Sequence, residues 1–461
     1  MKEQILQTLK DLRAYALGKG YEIALFYHEE DSTLMRFANS AISLNTNERL
    51  IRLDINAYAG QKRASYELIT DLEKVDEMKK GVDTAAEMVK HVQPLTYTPS
   101  VPDFGESFSD ESGYDPALAR LSNEEKLAYF NRAVDGLETD DLRLSGIFSS
   151  GENTIAQITT RSEHTQFFRT TDAQVTAVLA SAAHKWEMIA EQSAHSAAVL
   201  DPAAIHAELA FLLARFQTDP QVQLPLGTYD IVFGPAATAD MLTYMNWIGF
   251  NGGGMKRGLS FLSEANVGQK AFSDKVTLVD DPTWPETFPF KRDFTGMDRQ
   301  PFPIFQAGVF QGFTWYQDDA DEFGAQATGH TVGHKSLVLK TGEKEINSLE
   351  DLVRMPREGD IVYIPYLHYM NIVNPSKGIV TASSRFGALW LRKDGSLAVP
   401  YNFRLTQSLL DIFGDKVEWL ARKAIVNNTS MSYGARNPTA VIVPQFMMVK
   451  DLEISHSNPS F

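Results

Sequence analysis

The 461-residue sequence contains no cysteine, which excludes a disulfide framework and any chemistry that depends on a thiolate. Because such a chain suits a reducing compartment, we expect a cytoplasmic location. The sequence also lacks an uninterrupted apolar run long enough to span a bilayer, so no membrane association is expected. Near the start, Glu3 and Asp11 interrupt a helical apolar pattern. This pattern predicts an amphipathic helix and not a signal peptide.

Positive charge is scarce. The chain has 43 lysines and arginines against 59 aspartates and glutamates, which gives a formal net charge of −16. No dense block of basic residues occurs along it. Proteins that bind a nucleic-acid backbone usually present a basic face. Direct binding to nucleic acid is therefore not expected.

Two common catalytic or binding signatures are missing as well. The G-x-S-x-G turn of serine hydrolases does not occur. The glycine run that starts at Asn251 leads to Lys256 and Arg257, but the chain there does not match the phosphate-binding pattern GxxxxGK[ST]. We interpret this segment as the end of a helix followed by a loop. Its two cations are candidates for holding an anionic peptide terminus.

Two histidines four residues apart, His330 and His334, are the clearest candidate for a metal pair. They would share a face only in a helix, and the glycine-rich residues around them are poor helix formers. No glutamate follows His330, so the general base of a zinc protease is missing from the motif. The simplest interpretation is a glycine-rich turn whose histidines hydrogen-bond locally, and a substrate-facing or interface role is favoured over a metal site. His368, among aromatic residues, is interpreted as a core or rim histidine.

Length and pattern predict an α+β fold. The chain is too long for one ordinary core, and we place an N-terminal α/β domain at residues 1–220 and a β-rich C-terminal domain at residues 221–461. The alternation of apolar and polar residues over 51–58 predicts a half-buried strand. A proline-rich stretch near residues 92–115 is predicted to be a mobile connection.

Several helices are signalled by their caps or by their apolar period. Ser122 with Glu125 matches a capping box, and Asp201 with Pro202 matches an N-cap followed by proline in the first turn. The apolar stripe over residues 5–16 predicts the first helix of the chain.

Short segments of the sequence also occur in an order that is typical of one protein family. These segments are Met35–Ile42, with Arg36 and Asn39; Ser273–Pro282; Gly308–Phe313; Thr328–His330, with Gly329; and Thr406–Asp411. Together they make the chain resemble the TldD/PmbA family, often labelled modulator of DNA gyrase, over most of its length. The resemblance implies a two-domain PmbA/TldD-like fold.

One departure from the family pattern bears on function. In the TldD-like branch, the helix after a "v-l-g-p" strand carries H-E-x-x-x-H, which supplies zinc ligands and a general base. Here the matching strand is Ile231–Pro235, and the following stretch, Ala239–Ile248, contains neither histidine nor glutamate. Asp240 and Asn246 cannot replace two imidazoles, and a catalytic zinc needs at least three good protein ligands. The resemblance therefore implies the PmbA-like, or TldE-like, branch, with no metal or cofactor in this chain.

The family implies a cytoplasmic, dimeric assembly that acts on unfolded peptides. We therefore expect a non-catalytic subunit that pairs with a zinc-bearing TldD-like subunit or with itself. Two alternatives remain: an independent hydrolase with an unrecognised site around His330, His334 and His368, and a homodimeric peptide-binding module without chemistry. No catalytic residue is assigned. The candidate peptide-binding or interface residues are Arg36, Asn39, Lys256, Arg257, Thr328, Gly329, His330 and His334.

Overall fold

The computed structural model describes residues 1–330, 335–430 and 436–461. His334 lies outside the described residues. The elements before residue 220 are α1 (Lys2–Gly18), β1 (Glu22–Ala38), β2 (Ala41–Ala59), β3 (Lys62–Thr70), α2 (Val75–His91), β4 (Phe108–Gly113), α3 (Pro116–Ala119), α4 (Asn123–Ala133), β5 (Leu142–Thr159), β6 (Gln166–Ser181), β7 (Glu187–Ala194) and α5 (Pro202–Thr218).

These strands form one sheet in the order β3-β2-β1-β5-β6-β4, and β7 pairs with the second half of β6. The long central strands are antiparallel to their neighbours. β1 and β2 meet in a hairpin whose turn residues, Asn39 and Ser40, both have positive φ, as a tight hairpin turn of the primed kind requires.

The sequence signals for helices are confirmed. α1 buries Ile5, Leu9, Leu12 and Ala16 along one stripe. The Ser122 capping box opens α4, and the Asp201 side chain caps α5. The strand β4 lies within the proline-rich stretch and pairs in parallel with β6. Sequence analysis did not predict β4, because its residues show no apolar alternation.

The C-terminal helices are α6 (Pro235–Ile248), α7 (Gly252–Lys256), α8 (Gln317–Phe323), α9 (Leu349–Arg354) and α10 (Leu409–Ile412). The C-terminal strands are β8 (Gln221–Val222), β9 (Gly227–Phe233), β10 (Leu278–Asp280), β11 (Phe302–Gln306), β12 (Val309–Phe310), β13 (Leu337–Leu339), β14 (Ile361–Ile364), β15 (Tyr366–Asn374), β16 (Ile379–Arg385), β17 (Leu389–Leu391), β18 (Leu397–Pro400), β19 (Phe403–Ser408), β20 (Val417–Leu420), β21 (Ala424–Asn428), β22 (Ala440–Pro444) and β23 (Met447–Ser457).

The C-terminal strands build two sheets. One has the order β15-β16-β19-β23-β9-β14-β17-β18-β8, with β20 beside β23, and the other has the order β12-β11-β10-β13-β22-β21. A common apolar core joins α5 of the N-terminal part to the C-terminal part, where Leu209 and Phe216 belong to the same cluster as Leu349 and Tyr363. The mixed helices and sheets confirm the α+β prediction.

The glycine run after Asn251 differs from its prediction. It forms the short helix α7, capped by the Asn251 side chain, and not a loop. A Cβ atom on Gly252 would lie 2.3 Å from Trp315, and one on Gly253 would lie 2.2 Å from Asp319. The glycines are therefore needed for the close approach of these two side chains, which sequence alone does not reveal.

By length and composition alone, the helical stretch of residues 197–218 is apolar enough to cross a membrane. One of its stripes packs in the core, with Ile205, Leu209 and Leu212 buried. Another stripe, with Ala207 and Phe211, borders a cavity. The burial of its core stripe accounts for much of the apolar character of this helix.

Candidate functional site

A cavity of about 510 Å³ lies between the N-terminal and C-terminal parts of the molecule. β7 and α5 supply its N-terminal wall. The start of α6, the start of α9, the Tyr363–Tyr366 segment and β21 supply the other walls. Cavities of this size at a junction between domains are frequent ligand sites.

Two strand edges border this cavity. Consecutive residues of β7, from Ile189 to Ser193, line it, and so do consecutive residues of β21, from Ala424 to Asn428. Side chains alternate between the faces of a strand, so a consecutive run indicates that the cavity lies along the strand's edge. Within the described residues, β7 pairs only with β6 and β21 only with β22. Both strands therefore have an unpaired edge.

Two glutamates project into the cavity from different elements. Glu191 lies on β7, and Glu208 lies on α5. Burial raises the pKa of the Glu191 carboxyl to about 7, although the Thr176 hydroxyl donates a hydrogen bond to Glu191 Oε1 over 3.3 Å. Burial, and secondarily the charge of Glu191, raises the pKa of Glu208 to about 7. Both groups are therefore poised to exchange a proton near neutral pH.

A third carboxylate, Asp240 on α6, belongs to the same electrostatic group. Burial, and then the nearby Glu191, raises the pKa of Asp240 to about 7. Tyr366 lines the cavity, and burial together with Glu191 and Asp240 raises the pKa of its hydroxyl. The Glu191, Glu208 and Asp240 carboxyls and the Tyr366 hydroxyl therefore keep their protons to a higher pH than the same groups do in water.

An ion pair stands beside the cavity, next to Tyr366. Arg385 donates to Glu187 Oε2 from Nε at 2.9 Å and from Nη2 at 2.7 Å. Its Nη1 lies 2.8 Å from His368 Nε2. Because a guanidinium only donates, Nε2 of His368 accepts this hydrogen bond. Burial, and then the charge of Arg385, lowers the pKa of His368. His368 is therefore a neutral histidine at this rim.

The residues proposed from the sequence lie in separate parts of the fold. Arg36 and Asn39 are exposed at the β1–β2 hairpin. Lys256 is 2.6 Å from Glu264, and Arg257 is 2.8 Å from Asp319 and also pairs with Glu322. None of these four borders the cavity. Their role in binding stays a prediction.

Thr328, Gly329 and His330 lie in another place again. The Thr328 side chain and backbone hydrogen-bond Trp315, and Gly329 lies against Met297. His330 is 3% exposed, and its Nε2 lies 3.8 Å from Asp280 Oδ2. Burial is the main cause that lowers the pKa of His330.

α6 is the helix on which the resemblance places the zinc motif of TldD-like proteins. Its side chains that are not fully buried include Asp240, Thr243, Tyr244 and Trp247. The Tyr244 hydroxyl donates to the backbone carbonyl of Met370. In the described ranges, no three histidine, cysteine, aspartate or glutamate side chains are grouped so that they could hold a metal ion. The residues of α6 do not fit a catalytic zinc.

Sequence reasoning did not identify the two glutamates. Glu191 follows an unremarkable strand pattern. Glu208 left a faint signal, because it is the one acidic residue in the apolar helix α5. Their importance depends on the cavity, which is formed by segments distant in sequence.

The C-terminal part of the chain is similar to a known protein family. The family model described as the PmbA/TldA metallopeptidase C-terminal domain matches residues 226–456. No curated protein matches the chain.

Several solved structures share the whole fold. TldE from Thermococcus kodakarensis is 16% identical, with a TM-score of 0.77 over 97% of this chain and 99% of that chain. A candidate modulator of DNA gyrase from Thermotoga maritima is 17% identical, with a TM-score of 0.77 over 97% and 99%. Another candidate gyrase modulator, from Bacteroides thetaiotaomicron, is 16% identical, with a TM-score of 0.77 over 98% of both chains. At such identities the likeness shows the fold.

Proposed function

The chain belongs to the PmbA/TldD family of metallopeptidase-related proteins, and we propose that it is a non-catalytic, TldE-like subunit that acts on unfolded peptides with a zinc-bearing TldD-like partner. The observation that carries this proposal is the composition of α6. This helix follows β9, where the TldD-like branch has its zinc motif, yet it contains no histidine and no glutamate. The assembly is proposed to work in a reducing cytoplasm, which suits a chain without cysteine.

The cavity is the proposed peptide site. An extended peptide can add its backbone to an unpaired strand edge, which gives affinity with little dependence on sequence. The edges of β7 and β21 both border the cavity. The two strands also contact each other, so the peptide is proposed to add along the part of either edge that faces the open cavity. Such binding suits unfolded substrates, because they expose their backbone groups.

The exposed part of β2 is the proposed partner surface. Residues 41–49 are exposed, although they pair with β1, and β3 covers only the strand's second half. Ile42 and Leu44 are 46% and 39% exposed there. The charged residues of this stretch, Glu48 and Arg49, lie at its end, and the uncharged part before them is the kind of strand edge that favours pairing with another chain.

The test is to measure zinc and peptide cleavage for this chain alone and after addition of a zinc-loaded TldD-like subunit. We expect no stoichiometric zinc and no cleavage from the chain alone, and cleavage of a fluorogenic unfolded peptide by the equimolar complex. The variant Ile42→Arg should weaken complex formation in light-scattering measurements, because it places a charge on the proposed partner surface.

A matched pair of variants on α5 tests the cavity. Ala207→Trp fills the cavity and should reduce peptide binding, whereas Ala203→Trp, on the same helix but outside the lining, should not. Cleavage by the chain alone with bound zinc would instead establish the independent hydrolase. A stable homodimer that binds peptide and ignores the TldD-like subunit would establish the binding module.

A further inference from the structure

We propose that the cavity holds a positively charged group of the bound peptide, a lysine or arginine side chain or the terminal ammonium, between Glu191 and Glu208. This inference rests on the proposed function, because it assumes that peptides enter the cavity. It adds a substrate preference, namely a basic residue or a free amino terminus at the position that reaches the two glutamates.

The charge of the lining is the first argument. Glu191, Glu208 and Glu350 line the cavity, and Lys423 is the single basic lining residue among those that the structure describes. Asp240 adds a further carboxylate close to Glu191. The site therefore has an excess of acidic groups, and a cation is the complementary ligand.

The second argument is that Glu208 has no internal partner. Its carboxylate makes no hydrogen bond or ion pair with the described residues, and Lys423 acts on it only at longer range. Glu208 is half-buried, and even a partly desolvated charge is less stable without a partner than with one. A ligand cation would supply the missing partner.

The third argument is the apolar part of the wall. Ile189, Val199, Phe211 and Ile425 border the same space as the glutamates. Lysine and arginine carry long apolar stems that pack well on such surfaces while the charged end reaches a polar group. A small metal ion or a free ammonium ion would leave these walls uncovered, so a peptide side chain or terminus fits better.

The proposal has a defined dependence on pH. A cation binds the ionised carboxylates, and burial raises the pKa of Glu191 and of Glu208 to about 7. Binding should therefore tighten from about pH 6 to about pH 8 and lose strength in acid. The titratable or charged groups around these two are Asp240 on α6, Glu350 on α9, Lys423 before β21, Tyr363 on β14 and Tyr366 on β15.

The experiment is calorimetric titration of the full chain with three short unfolded peptides that differ only in charge. One is acetylated and carries a central lysine, the second is acetylated and carries norleucine instead, and the third carries norleucine and a free amino terminus. We expect the lysine peptide to bind about tenfold or more tightly than the acetylated norleucine peptide at pH 8, since hydrogen bonds to charged groups contribute on that order. A gain for the third peptide would identify the terminal ammonium as a second source of the cation.

Variants locate the effect. Glu208→Gln and Glu191→Gln should abolish most of the lysine preference, whereas Glu138→Gln, at an exposed position outside the cavity, should keep it. Glutamine has the size of the protonated glutamate, so the variants should fold, and circular dichroism checks this. The peptide series on the unchanged chain decides the main point even without them.

The outcomes separate the two proposals. Equal affinities for all three peptides, each weakened by Ala207→Trp, would overturn the cation preference and leave the peptide-binding function standing. A lysine preference that persists when both glutamates are replaced would also overturn it, because the cation would then bind elsewhere. Absence of binding by every peptide would overturn the cavity as the peptide site, and with it the cation preference, whereas the subunit role is decided by cleavage in the complex.

Discussion

Asp172 is a fully buried carboxylate, whereas Glu208 is a half-buried carboxylate at the edge of a cavity, and the two have different partners. Asp172, on β6, receives a two-pronged ion pair from Arg436, with Nε to Oδ1 and Nη2 to Oδ2 both at 2.7 Å. Glu208, on α5, has no such partner in the part of the chain that the structure describes, and it borders a cavity. The difference indicates two uses of carboxylates within this fold. Paired carboxylates fix the structure, and an unpaired carboxylate beside a cavity is available to a ligand.

The Arg436 network also joins distant parts of the chain. Arg436 belongs to the C-terminal part, and its Nη1 donates to Ser149 Oγ over 2.7 Å in the N-terminal sheet. Its backbone N–H donates to Glu30, which also lies 3.2 Å from Arg52. The network is almost fully satisfied, as buried polar groups in native proteins usually are.

The largest expected effect comes from breaking this pairing. Arg436→Met would leave Asp172 buried without its cation, which typically costs about 3–5 kcal/mol. The free energy of unfolding, measured with urea, should fall by that order. The double variant Arg436→Met with Asp172→Leu should lose less, because it removes both charges. A single variant as stable as the parent would show that the network does not hold the two parts together.

A smaller effect of opposite sign, a gain in the free energy of unfolding, is expected when Glu208 is replaced. Burial raises the pKa of Glu208 from 4.5 to about 7. The folded state therefore holds this proton more tightly than the unfolded state, and the parent chain loses stability as pH rises from about 4.5 to about 7. Glu208→Gln avoids that loss, so it should be roughly 1–3 kcal/mol more stable than the parent at about pH 8 and about equal to it at pH 4.

Urea denaturation at several pH values checks this prediction, with Glu138→Gln as the exposed control. A stability difference that does not change with pH would show that Glu208 is as well accommodated when it is charged as when it is neutral. The contrast with Asp172 would then disappear.

The smallest effect is expected at an exposed ion pair, which tests whether pairing stabilises the fold when both charges are in solvent. Arg422 is 56% exposed and lies 2.9 Å from Glu343. Because solvent screens such pairs, Arg422→Ala should change the free energy of unfolding by less than about 1 kcal/mol, and the change should shrink further in salt. A loss as large as that of Arg436→Met would mean that burial is not what makes pairing important here.

Much of the fold was accessible from local pattern. The stripe of α1 and the capping residues Ser122 and Asp201 predict their helices correctly, because these signals involve residues three or four apart. β4 was missed, since its parallel pairing with β6 depends on a partner about sixty residues away. The prediction for the glycines of α7 is wrong, because their role is to leave room for Trp315 and Asp319, which are distant in sequence.

The candidate site likewise has one part that follows from the sequence and one part that depends on the folded chain. The sequence by itself determined what α6 cannot do, because a helix without histidine or glutamate lacks those zinc ligands in any fold. Only the tertiary structure decided that Glu191 and Glu208 face one cavity with Asp240 nearby. The pKa of each carboxylate depends on how far α5, α6, β7 and β21 exclude water from it, and on which charged groups these elements bring close to it. Those elements meet only when the chain is folded.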